Sequence, residues 1–230
     1  MTQTRRERIR VSTIEEIKST AWKQAAEQGA ASLSLRAIAR EMGMTAPGLY
    51  RYYKDRDALV TALLIDAFDS FSAALEAARD LCKAGDHAGR FRSICRAYFE
   101  WGTVNPQKYI FLFGTPIPGY QLAGEVGPSA QRSFLVLQGV IGEAQAAGRI
   151  TGKPGMPRLP SRLKSQYGML KKYGMPHTSD VTHLALSTWS MVHGITSLCL
   201  YGYFSGFLGE QIGSFLETEI EKMSRVIGIE

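Results

Sequence analysis

Apolar residues recur along this chain at spacings of three and four, and no stretch alternates with period two for long enough to make a strand. In the first segment Ile14, Ile17, Ala21 and Ala25 share a face, which predicts a helix over 5–28 stopped by Gly29. Two short helices are expected next, at about 35–41 and 45–52. A long helix then begins near Asp55 and runs past Leu75 without Gly or Pro. Helices at 87–104 and 106–113 are bounded by Asn105-Pro106 and by the sequence GTPIPGY, and another follows at 128–148. Residues 151–178, with TGKPGMPRLP and YGMP, read as a long loop holding a short helix near 160–172. Helices at 179–204 and 209–227 close the chain, separated by small residues around Gly206 and Gly209. The pattern is all-α, without internal repeats.

One segment carries more than periodicity. In LRAIAREMGMTAPGLYRYY, from Leu35 to Tyr53, Ile38 faces a core and Ala39 is small where two helices must approach. Gly43 sits where a sharp turn favours positive φ, and Leu49 returns to the core, the spacing of a helix-turn-helix. Thr45 can cap the second helix, and Pro47 lies in its first turn, where a missing N–H is harmless. The outer face of that helix, Thr45, Ala46, Pro47, Gly48, Arg51 and Tyr52, is mostly small or polar, as close approach to a major groove requires. Tyr50, Lys54 and Arg56 flank it as candidates for phosphate contacts. An ordinary helical hairpin is the competing reading.

These residues resemble a known family. AIAREMGMTAP followed by GLYRYYKDRDALV is similar to the TetR/AcrR regulators, over about residues 10–65. The resemblance implies an all-α homodimer with an N-terminal three-helix helix-turn-helix head, here residues 1–54. A helical dimerisation and effector-binding domain, residues 55–230, follows it. It also implies double-stranded DNA with a palindromic operator as partner, and DNA-contacting roles for Arg36, Thr45, Pro47, Tyr50, Tyr52 and Lys54. Gly48 departs from the larger residues usual at its position, which weakens base readout there. WSMVHGI, Trp189 to Ile195, resembles the Trp-x-x-x-His-Gly signature of one subgroup.

Charge changes the picture only once divided. Of a net +6, residues 1–60 contribute 11 Lys/Arg against 7 Asp/Glu, and the insert at about 149–179 has 7 basic residues and no acid. A localised polyanion contact follows, although the insert reads first as a solvated loop. It could equally touch DNA or cover a pocket mouth. At 45% hydrophobic the chain can build a full core. No apolar run is expected to cross a membrane, and MTQTRRERIR lacks the apolar stretch of a secretory signal, so a cytoplasmic protein is expected. Cys82, Cys95 and Cys199 form no CxxC and are expected as small apolar residues in helices. His177 and His183 lie six apart, on different faces. No metal or cofactor is expected. Without GxSxG, HExxH or GxxxxGK[ST], neither is an enzyme.

In the C-terminal half, Tyr98, Trp101, Phe111, Phe113, Trp189 and His193 are candidates to wall an apolar effector site between the long helix and the penultimate one. Plain core is the competing reading for the aromatics. For Trp189 and His193, four apart, it is a packed Trp beside a hydrogen-bonded His. The last helix shows Ile212, Phe215, Leu216, Ile220 and Met223 as an apolar stripe, expected to seal a two-fold dimer. The function expected is a homodimeric repressor released from its operator by a small apolar or aromatic effector. An architectural DNA-binding protein without an effector is the alternative.

Overall fold

The computed structural model describes residues 4–150 and 158–229, and local capping chemistry explains most of its helix boundaries. Helix α1, Arg5–Gln28, opens with a capping box between Thr4 and Glu7 and ends at Gly29, φ 81°. A short turn leads to α2, Leu35–Glu41, capped by Ser34, and α3, Ala46–Tyr50, capped by Thr45. Helix α4, Arg56–Asp80, starts one residue later than the apolar pattern suggests, because the Ala58 N–H donates to the Asp55 carboxylate at 2.7 Å. Helices α5, His87–Val104, and α6, Pro106–Phe113, meet at Asn105, whose side chain also donates to the Trp101 carbonyl.

Helix α7 spans Val126–Ala146, α8 Ser161–Met169, α9 Ser179–Leu200 and α10 Ile212–Ile227. Helix α9 stops short of the expected residue 204 because Gly202 takes φ 77°, a left-handed conformation that ends helices. Of the loop expected over 151–178, residues 151–157 lie outside the described residues, and α8 occupies the place of the short helix expected near 160–172.

The chain divides into two compact units, Met1–Ala67 with Gln107–Gly127, and Phe68–Pro106 with Pro128–Glu230. This division differs from the boundary between residues 54 and 55 drawn from the sequence. The segment 107–127 joins the head through specific ties. Phe111 packs edge-on to Trp22 at 4.9 Å between centroids, and the Thr61 and Tyr120 hydroxyls lie 2.9 Å apart. Ile17, Ala21, Ile38, Leu49, Leu59 and Leu63 are fully buried in this unit.

In the second unit α5 packs on α9 and α10, and α8 on α9, around Phe71, Phe91, Ile94, Ile141 and Ile220. Arg96 of α5 makes a bidentate pair with Glu217 of α10 at 2.6 and 2.7 Å, which holds the Glu217 carboxyl below the usual carboxylate range. Cys95 is buried, and burial pushes its thiol up to about 12, so it behaves as an apolar core residue. Cys82, by contrast, lies beyond the end of α4 rather than in a helix.

The sequence expectation about membranes needs one correction. Helix α4 is long and apolar enough to cross one by length and composition, yet 56% of its apolar window is buried in the fold, which is how a core helix behaves.

Candidate nucleic-acid interface

The helix-turn-helix is held from beneath. Gln24 of α1 accepts the Ser34 N–H at 3.0 Å, which fixes where α2 begins, and Lys23 pairs with Glu41 across the same two helices at 2.7 Å. Gly43 turns the chain with φ 65°, and the Met44 N–H donates to the Ala39 carbonyl at 2.8 Å. Ile38, Ala39 and Leu49 are buried beneath the turn. The Gly48 N–H donates to the Thr45 hydroxyl, and a Cβ on Gly48 would come within 3.1 Å of that oxygen. Glycine here relieves pressure on the cap, a reason for its presence that spacing alone does not reveal.

That framework leaves a polar face open. Arg36, Thr45, Pro47, Tyr50, Arg51 and Lys54 are exposed, while Ala46, Gly48 and Tyr52 are half-buried. Arg10 places its guanidinium 5.4 Å from the centre of the Tyr52 ring. Sequence reasoning named the basic N-terminus but not this residue, because ring and cation lie far apart in the chain. Arg56 needs correction as a phosphate contact. Its guanidinium donates to the carbonyls of Ala30, Ala31 and Pro118, each at 3.3 Å, so it pins the head's own backbone.

The proposed effector residues do not form one set. Tyr98, Trp101 and Trp189 crowd around Phe71 with centroid separations of 4.8 to 5.9 Å. The Tyr98 hydroxyl lies 2.9 Å from His193 Nδ1, and the Trp101 indole donates to Ser70 at 3.2 Å. Burial holds the His193 imidazole below its ordinary pKa. Phe111 and Phe113 belong to the other unit, Phe111 against Trp22 and Phe113 against Tyr109, because α6 is drawn into the head. The cluster in the second unit is almost solid, leaving a gap of about 10 Å³ beside Trp189, room for one water.

The expected dimer stripe also divides. Leu216 and Ile220 are buried within the single chain against the α5–α9 core, so they do not face a partner. Ile212, Phe215 and Met223 stay half-buried. In the part of the chain from α9 onward, the exposed large apolar residues are Leu198, Tyr201, Tyr203, Phe207 and Val226. Tyr167 meets His183 and His177 sits on Gly142, and among the described residues no cluster of three or more His, Cys, Asp or Glu is placed to hold a metal.

Comparison with known proteins decides what this head belongs to. Residues 17–63 match the model described as bacterial regulatory proteins, tetR family, and residues 91–223 match a tetracyclin repressor-like C-terminal domain. The chain belongs to the TetR family. The HTH-type transcriptional regulators Rv1816 of Mycobacterium tuberculosis and Mb1846 of Mycobacterium bovis are each 32% identical over 211 residues, covering 89% of this chain and 88% of theirs. The crystal structure of the regulatory protein SCO4313 has a TM-score of 0.78 at 35% identity, covering 96% of this chain and 98% of that one. A TetR-family structure from Rhodococcus RHA1, 17% identical with a TM-score of 0.64, covers 94% of this chain and 97% of that one and shares the fold. The C-terminal match is to a tetracyclin repressor-like domain as such and distinguishes no subgroup within it. This chain is thus a DNA-binding transcriptional regulator of the TetR family rather than an enzyme.

Proposed function

We propose that this TetR-family protein binds a palindromic operator as a homodimer and represses transcription until a small apolar or aromatic effector releases it. The observation that carries the reading is the capped, core-anchored α3 with Arg36, Thr45, Pro47, Tyr50, Arg51 and Lys54 open on one side. Pro47 and the half-buried Ala46 and Gly48 let the helix come close to base edges, Arg51 can read them, and Tyr50 and Lys54 fix register on phosphates. Arg10, stacked on Tyr52, adds a cation to the same site.

Homodimerisation is supported by the wet apolar side chains between α9 and α10, Tyr201 at 53%, Tyr203 at 68% and Phe207 at 73% exposed. Fragments that the protein selects from its source genome should share an inverted repeat with half-sites about 34 Å apart, one helical turn. A selected pool with no shared inverted repeat overturns the homodimeric operator.

Effector control rests on the cluster of Tyr98, Trp101, Trp189 and His193. An aromatic molecule gains apolar burial there only by prising Trp189 aside, so it selects a minor conformation. Gln138 supports a polar contact: it lies four residues from Phe134, on the same face of α7, and its carbonyl oxygen is buried with no partner. Trp101→Ala should raise the inducer concentration needed for release while leaving operator affinity without inducer nearly unchanged. Unaltered inducer response in a folded variant removes Trp101 from the site. The near-solid packing favours one other reading, a regulator with no small-molecule input, for which no compound would quench Trp189 and release DNA over the same range.

A further inference from the structure

The N-terminal unit contains a cavity that the effector reading does not use. It measures about 410 Å³, within the span of roughly 300–1,000 Å³ typical of small-molecule sites. One wall is the end of α1 and the turn after it, where Ala25, Ala26, Gly29, Ala30 and Ala31 line the space with no side chain larger than a methyl group. The other wall is α6 and the loop behind it, with Ile110 and Phe111. Arg56 ties the two walls together, since its guanidinium reaches Ala30 and Ala31 on one and Pro118 on the other. The space is therefore bounded by backbone that is held in place.

None of the lining residues is ionisable, and Gln107 and Thr115 are the polar side chains among them. A charged ligand would lose its hydration without a counter-charge, whereas an apolar molecule with one hydroxyl or carbonyl would not. We propose that this cavity is a second small-molecule site, within the DNA-binding head, for a neutral and largely apolar ligand whose single polar group reaches Gln107 or Thr115. The ligand would bear on the turn that leads into Ser34, the cap of α2.

Trp22 is a built-in reporter, because its ring meets the edge of Phe111 at 4.9 Å. The test titrates 1-octanol into full-length protein carrying Trp101→Phe and Trp189→Phe, which leaves Trp22 the sole tryptophan and removes any signal from the second unit. A saturable change in Trp22 emission is expected, with at least tenfold weaker binding in Ala26→Phe and in Thr115→Leu, which fill the space from opposite walls. Should the double variant not fold, the octanol-dependent rise in melting temperature of the otherwise unaltered protein takes its place, and it should vanish in Ala26→Phe. A response that never saturates, or one with the same midpoint in both filled variants, overturns the site. Neither result bears on the effector cluster.

Discussion

Two cations two positions apart in the sequence do different physical work. Lys54 is exposed beside the recognition helix, while Arg56 spends its guanidinium on three carbonyls. Lys54→Ala should weaken binding about equally on all DNA sequences and lower the salt slope by about one unit, read from anisotropy titrations over a range of salt. Arg56→Ala should leave that slope alone and instead lower stability by about 1–2 kcal/mol, measured by denaturant unfolding. A lowered salt slope in Arg56→Ala would return it to the phosphates. His193 offers a pH signature. Its imidazole ordinarily titrates near 6.5, and burial lowers that value in the folded state, so the unfolded chain takes up the proton first as pH falls. Its contribution to stability is present above about 6.5 and lost as pH falls through the lower folded value. His193→Gln should flatten that part of the melting-temperature profile, and a profile as steep as before excludes His193 as its source.

Helices were legible from the chain because caps and breakers are local. Thr4, Gly29, Thr45 and Asn105 each act within a few residues, and the structure places boundaries where they act. What periodicity could not supply was which neighbour each apolar face meets. Leu216 and Ile220 share a stripe with Phe215, yet Arg96 clamps Glu217 and turns the first two onto α5. Phe215 is half-buried against Phe204 at 5.7 Å. Phe215→Glu is expected to give folded monomers that lose operator binding, whereas Ile220→Glu, burying a carboxylate at a fully enclosed position, should unfold the second unit. Sizing and circular dichroism separate the outcomes, and a dimeric Phe215→Glu protein excludes Phe215 from the seam and confines it to the exposed Tyr201, Tyr203 and Phe207. Phe111 and Phe113 illustrate the same limit, since aromatic spacing is identical in a pocket wall and in a core.

At the scale of the whole molecule, the helix-turn-helix was fully readable because its turn glycine, caps and anchors fall within twenty residues or so of one another. The composition of each unit was not, since contacts such as Arg56 to Pro118 join residues far apart in the chain. Helix α4 begins in one unit and ends in the other without interruption, which suits it to the proposed release of DNA by an effector. The head's dependence on 107–127 has a consequence for inheritance. A DNA-binding module encoded in one continuous stretch can be exchanged by a single crossover, but this one is encoded in two separated stretches. Transplanting residues 1–67 alone would strand Trp22 without Phe111 and Arg56 without Pro118. Relatives that trade operator specificity should therefore do so by point changes on α3, or by exchanging both segments together.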